Sequence, residues 1–334
     1  DNPLGTGPYS LEEGIGGKHL QRVTNWWCSS DDLVAKDSSI ALVEAESAAQ
    51  IRDEFEFSNL SVVCTNPQTD SYADYRCDFE LWEVDSGYLM YIGCNVTWSN
   101  FFDDGTLRTF LTYGIDRQAL VDDNYAGLAL PTTLPVSPMS PYYSKSLAAN
   151  YDYDEMRFID AESKLRVPTD DKGVTRTLKL LVNSDDSARL RCARDIAATL
   201  TELGLACETV ESPTSVYEAR LNAANYDIYL GVTKLPATGD LSEFFRPWGD
   251  MSWGGISNET IYNMVNLSLE NSGNYYNLYK LLADQGHIIP VMAGYYAIYA
   301  KRGVLSDLNP ARDNVFYYTL GKTMESSKIA TQFS

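Results

Sequence analysis

The 334-residue chain is 44% hydrophobic, which is enough apolar material for two compact lobes with cores of their own. Its 26 basic and 46 acidic residues give a net charge of −20, which disfavours nucleic acid and anionic membrane surfaces as partners. No apolar run approaches the roughly 20 residues of a membrane-spanning helix, and the residues from Asp1 onward lack the pattern of an export signal.

The first part of the chain has the patterns of strands with one helix. Short apolar or alternating runs predict strands, and a mixed polar and apolar run predicts the helix. The predicted strands are 38–43, 61–64, 79–84 and 87–96, and the predicted helix is 46–55.

An amphipathic helix is predicted next, over 104–122. Asp103 or Asp104 can cap its first turn, and an apolar stripe would bury one face. The stripe consists of Leu107, Leu111 and Ile115. Four prolines between 131 and 141 then predict a loop, because each proline removes a backbone donor.

The remainder predicts an α/β lobe. Helices 187–203 and 216–224 alternate with strands, and Gly204 can end the first helix in a left-handed conformation. Two successive strand–helix–strand steps favour parallel neighbours with right-handed crossovers. The predicted strands here are 177–182, 206–210, 226–231, 288–292 and 295–300, and two further helices are predicted at 258–269 and 272–285.

Enzymatic chemistry has little support in this sequence. The only imidazoles are His19 and His287, and there is no Gly-x-Ser-x-Gly elbow, phosphate loop or dinucleotide fingerprint. His287 is interpreted as a cap at a helix C-terminus. The six cysteines have no C-x-x-C spacing, so no metal site or cofactor is predicted; a bridge between Cys64 and Cys77 and free thiols both stay open.

A set of motifs occurs in a characteristic order. Residues 107–121 read Leu-Arg-x-x-Leu-x-Tyr-x-Ile-Asp-Arg-x-Ala-Leu-Val; Gly5-Thr6-Gly7-Pro8-Tyr9 precedes them, 87–91 with Asn95 leads into them, and 151–154 follows. Together these motifs resemble the extracellular solute-binding proteins of the peptide and nickel ABC-transporter family, family 5. The resemblance begins at Gly5, so the family's N-terminal part is expected to be missing from this chain.

The resemblance implies an α/β fold of the periplasmic-binding-protein-like type, type II, cluster C. Two lobes of mixed sheet flanked by helices are then expected. The first, sheet-rich lobe would comprise 1–98 with 306–334, with 316–318 rejoining its sheet, and the second would comprise 99–305.

The resemblance also implies a function. The chain would be the substrate-binding component of an ABC importer, capturing a peptide or similar small solute in an interlobe cleft and delivering it to the permease subunits. A monomer in the periplasm or anchored as a cell-surface lipoprotein is expected, with its signal outside the given chain. The alternatives are a sensor or interaction module on the same scaffold and a glycosidase, because 46 acidic residues offer many carboxylate pairs.

Ligand contacts are expected from aromatic and polar side chains near the end of strand 226–231 and along 87–96, because ligand loops in open α/β sheets follow the carboxyl ends of strands. Pro236 and Ala237 replace the aspartate that holds a peptide's amino group in peptide-binding members. Asp240 could substitute for it or could cap a helix from Ser242. The candidate residues are Tyr88, Tyr91, Asn95, Gly231, Thr233, Asp240, Phe244, Arg246, Trp248 and Trp253. Tyr88 and Tyr91 cannot both face inward on a regular strand.

Overall fold

The computed structural model describes residues 5–28, 37–57, 60–67, 75–97, 99–102, 105–169, 172–305, 308, 310 and 312. The chain divides into two compact units, Asp1–Ser86 with Tyr295–Ser334 and Gly87–Gly294. The lobe limits expected from the sequence, 98/99 and 305/306, stay a prediction. The expected return of 316–318 to the first sheet lies outside the described residues.

The first unit is rich in strands. Strands β1 (Tyr9–Gly14), β2 (Gly17–Arg22) and β3 (Ser39–Ala41) form an antiparallel sheet, and helix α1 (Ala48–Phe57) follows. Strand β4 (Val62–Thr65) pairs antiparallel with residues 297–300. A small apolar cluster holds this part together and consists of Ile298, Ala300, Leu305 and Leu308.

Two strands are longer than the sequence patterns suggested. Strand β5 (Phe79–Cys94) replaces the predicted strands 79–84 and 87–96, and β10 (Ile288–Lys301) replaces 288–292 and 295–300. The expected breaks fell at 85–86, just before Gly87, and at 293–294, which includes Gly294. A glycine in a strand only weakens it when the neighbours still pair. Gly87, with φ 78°, is accommodated inside β5.

A mixed sheet lies in the second unit. Strand β9 (Ile228–Lys234) pairs antiparallel with β5 and parallel with β7 (Leu178–Asn183). Strand β7 also pairs parallel with β8 (Cys207–Ser212), so the spatial order is β8-β7-β9. The two-residue strand β6 (Leu130–Pro131) pairs antiparallel with β10. The expected α/β architecture with a mixed sheet flanked by helices is therefore confirmed.

Helices cover both faces of this sheet. The chain steps from β7 outward to β8 and back across to β9, so crossovers of one hand place helix α6 (Ser187–Glu202) and helix α7 (Thr214–Asn222) on opposite faces. Leu180 belongs to the apolar cluster that contains α6, whereas Leu181 belongs to the cluster that contains α7. The other helices of the second unit are α2 (Thr106–Phe110), α3 (Arg117–Tyr125), α4 (Lys145–Ala148), α5 (Glu155–Glu162), α8 (Ser242–Phe245), α9 (Glu259–Glu270) and α10 (Tyr275–Gln285).

The predicted helix 104–122 is wrong as a single element. Helix α2 is followed by a 3-10 turn over Leu111–Gly114, and α3 begins only after Asp116, whose carboxylate accepts from the Ala119 N–H at 3.0 Å. The expected caps, Asp103 and Asp104, lie outside the described residues; Gly105 occupies the cap position of α2. The predicted apolar stripe is nevertheless buried throughout.

Within the described part of the chain, no helix combines the length and apolar character needed to cross a membrane.

Candidate functional site

The loop after β9 is fixed by the surrounding backbone. The Leu235 N–H donates to the Gly87 carbonyl at 2.8 Å, which continues the pairing of β9 with β5. The Tyr275 hydroxyl of α10 donates to the Thr238 carbonyl at 2.5 Å, and Gly239 turns the chain with φ 70°. The segment that follows this carboxyl end is therefore a positioned loop, as sites beyond parallel strands require.

Asp240 has a structural hydrogen bond. Its Oδ1 accepts from the Ser242 N–H at 2.8 Å, immediately before α8, although the cap position itself is Leu241. The carboxylate is half-buried. It thus orders the start of α8, and contact with a ligand stays a prediction for this residue.

Glu243 organises the loop 246–252. Its carboxylate accepts two hydrogen bonds from the Arg246 guanidinium, at 3.0 and 2.8 Å, and a third from the Asp250 N–H at 3.0 Å. The pairing with Arg246 is the main reason that the pKa of Glu243 is lowered. Arg246 therefore already holds a carboxylate of the chain bidentately, and its contact with a ligand stays a prediction.

Trp248 lies in the middle of this loop, between the two residues that are hydrogen-bonded to Glu243. Its side chain is 94% exposed and its backbone has φ 60°, a left-handed conformation that costs a non-glycine residue about 1 kcal/mol. The hydrogen bonds of Glu243 compensate for that strain by fixing the loop on both sides of the indole. Trp248 is thus an exposed aromatic surface on an ordered support.

Trp253 has a different environment. Its ring is half-buried and stands perpendicular to Tyr229, with 5.9 Å between the ring centroids. Nearby, the Thr233 hydroxyl of β9 contacts the Met251 sulfur at 3.4 Å. Both Thr233 and Trp253 are half-buried, so each has some surface that a ligand could reach. Their contact with a ligand stays a prediction.

Four of the candidate residues are buried in the interior of the second unit. Tyr91 packs edge-on against Tyr229 and Phe244, with ring centroids 5.7 and 5.1 Å apart. A Cβ on Gly231 would come within 2.8 Å of Tyr229 and Tyr91, so only glycine fits under these rings. The Asn95 amide donates to the carbonyls of residues 224 and 226 at 2.8 Å. These residues pack β5, β9 and α8 together in the interior, and their direct contact with a solute stays a prediction.

Tyr88 faces the opposite side of β5 from Tyr91. Tyr88 packs against the apolar cluster that contains α6, and Tyr91 lies in the cluster that contains α7, as strand alternation requires. Burial raises the pKa of Tyr88, so its hydroxyl stays protonated and able to donate. Tyr88 is half-buried, and contact with a ligand stays a prediction for it as well.

The interpretation of His287 as a helix cap is wrong. Gly286 is the C-cap of helix α10; it has φ 61°, and its N–H donates to the Leu282 carbonyl at 2.9 Å. Burial, with Arg108 as a second cause, lowers the pKa of His287 to about 4. The imidazole is therefore neutral at pH 7 and cannot stabilise a helix dipole as a cation.

The cysteines leave no bridge between Cys64 and Cys77, because all six thiols are free. Among the residues that the structure describes, no group of three or more His, Cys, Asp or Glu side chains is placed to hold a metal ion.

The sequence patterns did not single out Glu243 or Arg117. Glu243 organises the loop 246–252 and Arg117 lines a pocket, through contacts that residue type alone does not reveal.

Comparison with known proteins identifies the family. The model of the bacterial extracellular solute-binding proteins, family 5 (middle region), matches residues 1–255. No curated protein sequence matches the chain.

Solved structures with the same fold include three from different bacteria. AppA from Clostridium difficile, described as a peptide-binding protein, has a TM-score of 0.75 at 17% identity, over 96% of this chain and 68% of that one. CtaP from Listeria monocytogenes, described as an ABC transporter substrate binding protein, has a TM-score of 0.71 at 15% identity, over 97% of this chain and 68% of its own. NikA from Brucella suis, in complex with Fe(III)-EDTA, has a TM-score of 0.70 at 14% identity, over 96% of this chain and 69% of its own.

Identities this low show the fold alone, whereas the family model extends over most of the chain. Proteins of this family bind solutes and do not act as enzymes. The chain belongs to family 5 of the bacterial extracellular solute-binding proteins.

Proposed function

We propose that this protein is the substrate-binding component of an ABC importer, and that it captures a peptide or a similar small solute for delivery to the permease. Family membership supports the role in solute binding. CtaP, of the same fold, is described as an ABC transporter substrate binding protein, and AppA as a peptide-binding protein. A monomer outside the cytoplasm, in the periplasm or anchored as a lipoprotein, is part of the proposal.

The surface around the loop 246–252 carries this proposal. Trp248 is almost fully exposed on a loop that Glu243 holds in place, and tryptophan is enriched at recognition surfaces because it combines a large apolar ring with one polar group. Trp253, Thr233 and Asp240 belong to neighbouring parts of the same α/β unit. Stacking on indole rings would supply most of the contact area at a low cost in side-chain entropy.

The polar groups of this surface restrict the choice of solute. Arg246 is already paired with Glu243, so a free carboxylate on the solute would have to compete with that pair. Asp240 offers one carboxylate for a cationic group, in addition to its hydrogen bond to Ser242. We therefore expect solutes with an apolar or planar portion and a positive group to bind better than anionic solutes.

Trp248 provides a direct test by fluorescence. Adding a mixture of short peptides should shift the emission of the exposed indole to shorter wavelength, because the solute would displace water from its face. Trp248→Phe should abolish this shift and keep binding measurable by calorimetry, whereas Trp248→Ala should weaken binding about tenfold, the value of one stacking contact.

Trp27→Phe is the matched control. Trp27 is 74% exposed in the first unit, so its removal should leave the peptide-dependent shift in place. If the shift persisted in Trp248→Phe and vanished in Trp27→Phe, the surface around Trp248 would not be the site.

A further inference from the structure

A buried arginine on α3 has no hydrogen-bonded carboxylate among the described residues. The Arg117 side chain is 1% exposed, and its Nε donates to the Pro290 carbonyl at 2.8 Å. Its Nη1 donates to the carbonyls of Thr112 and Ile115 at 3.1 and 3.2 Å, and its Nη2 donates to the Thr112 hydroxyl at 2.7 Å. These acceptors are all uncharged, so they fix the guanidinium without neutralising it.

That arrangement leaves a positive charge in the protein interior. Burial lowers the pKa of Arg117 to about 10, so the group still carries its charge at pH 7. The carboxylates of Asp152 and Asp116 act on this charge through space without a hydrogen bond to it, and they offset only part of the cost of burying it. Four of the five guanidinium N–H groups are occupied within the fold, and one on Nη2 is left over.

Arg117 lines a pocket of about 170 Å³. The polar side chains around it are those of Thr132, Thr133, Tyr143, Lys145 and Asp152. A space of this size holds several water molecules and admits a phosphate or carboxylate group. The hydroxyls of Thr132 and Thr133 already donate to the carbonyls of Leu134 and Ala148, so the cationic groups are the donors that this space offers to an anion.

Lys145 brings a second cation to the same pocket. It lies at the start of α4, and its ammonium has no hydrogen bond or ion pair with any described residue. Asp152 is the one carboxylate of the lining, and its Oδ1 accepts from the Tyr153 N–H at 2.9 Å. Two cations and one anion give the pocket a positive balance, although the whole chain has a net charge of −20.

We propose that this pocket binds a small oxyanion through Arg117 and Lys145. The ligand would be a phosphate group or a carboxylate, whether as a free ion or as part of a larger molecule. The bound oxyanion would neutralise Arg117 and connect α3 with α4. This site is distinct in its residues from the surface around Trp248, so its existence does not depend on the proposed solute site.

Thermal unfolding of the full chain tests the proposal, with sodium phosphate and sodium acetate titrated separately at constant ionic strength set by sodium chloride. At least one of the two oxyanions should raise the unfolding temperature saturably, because it binds only the folded state. Lys145→Gln should raise the half-saturating concentration about tenfold, as expected for one charge-assisted hydrogen bond. Asp152→Asn should lower it about threefold by removing a like charge.

Lys164→Gln and Asp160→Asn are the matched controls. Lys164 and Asp160 are exposed and paired with each other on the same unit, so neither change should move the half-saturating concentration. A response to acetate alone assigns the pocket to carboxylates, and a response to phosphate alone assigns it to phosphates. Equal stabilisation by chloride, no saturable response, or an unchanged half-saturating concentration in Lys145→Gln would overturn the proposal, and none of these results bears on peptide binding near Trp248.

Discussion

Trp248 is an exposed aromatic residue whose backbone conformation is held by its neighbours. An indole that is 94% exposed gains no stability from burial, and its left-handed backbone adds a cost of about 1 kcal/mol. Strain of this kind persists only where neighbouring contacts maintain it, and at this position the contacts are the hydrogen bonds of Glu243 to Arg246 and to the Asp250 N–H. The loop therefore keeps an exposed aromatic face that folding itself does not require.

His287 gives a prediction for the dependence of stability on pH. Its pKa is lowered from the ordinary 6.5 to about 4 in the folded protein. Between these pH values the imidazole is protonated in the unfolded chain and neutral in the folded chain. Its contribution to the free energy of unfolding is therefore fully present above pH 6.5 and is lost as the pH falls towards 4. At about 1.4 kcal/mol per pH unit, the loss due to this residue is about 2 kcal/mol at pH 5.

Urea unfolding at pH 7 and pH 5 measures that effect. His287→Gln, which cannot titrate, should lose about 2 kcal/mol less free energy of unfolding between the two pH values than the unchanged chain does. His19→Gln removes the other imidazole and serves as the control. An identical pH dependence in the unchanged chain and in His287→Gln would show that the buried imidazole is not the titrating group.

At the scale of elements, the capping residue Asp116 determines where α3 begins. Its side chain accepts from the Ala119 N–H at 3.0 Å and satisfies one of the free donors of the first turn. Asp116→Ala should lower the free energy of unfolding by about 1 kcal/mol. Asp123→Ala, at an exposed position inside the same helix, is the control and should change stability less in chemical denaturation. Equal losses in both variants would contradict the capping role.

Elements were predictable where periodicity and end signals agree. Helix 187–203 and its flanking strands are confirmed within a few residues as α6, β7 and β8, and Gly204 adopts the expected left-handed conformation. The pattern over 104–122 also identified the buried side chains, but it did not reveal the interruption before α3. That interruption depends on tertiary packing, because a Cβ on Gly114 would come within 2.8 Å of both Phe158 and Leu200.

The candidate site was predictable only in part. The sequence indicated the loop after β9 from the general position of ligand loops, but it gave the same weight to Trp248 and Trp253. The structure separates them, because Trp253 packs against Tyr229 and Trp248 does not share that contact. Packing of that kind joins residues far apart in the chain, so residue type and spacing could not have revealed it.

At the scale of the whole molecule, the order of motifs along the chain was the most informative signal. It indicates the family by itself, and the family model matches residues 1–255. The strand order β8-β7-β9 and the opposite placement of α6 and α7 follow from crossovers of one hand. The choice of solute does not follow from the fold, since proteins of the same fold are described with peptides and with Fe(III)-EDTA.

Isothermal titration of the chain with defined short peptides, followed by mass spectrometry of the recovered peptide, tests binding without turnover most directly. We expect saturable heat with at least one peptide that carries an apolar residue and a positive group, and recovery of that peptide unchanged. Heat that never saturates across the peptide set, or a peptide recovered in cleaved or modified form, would contradict this account.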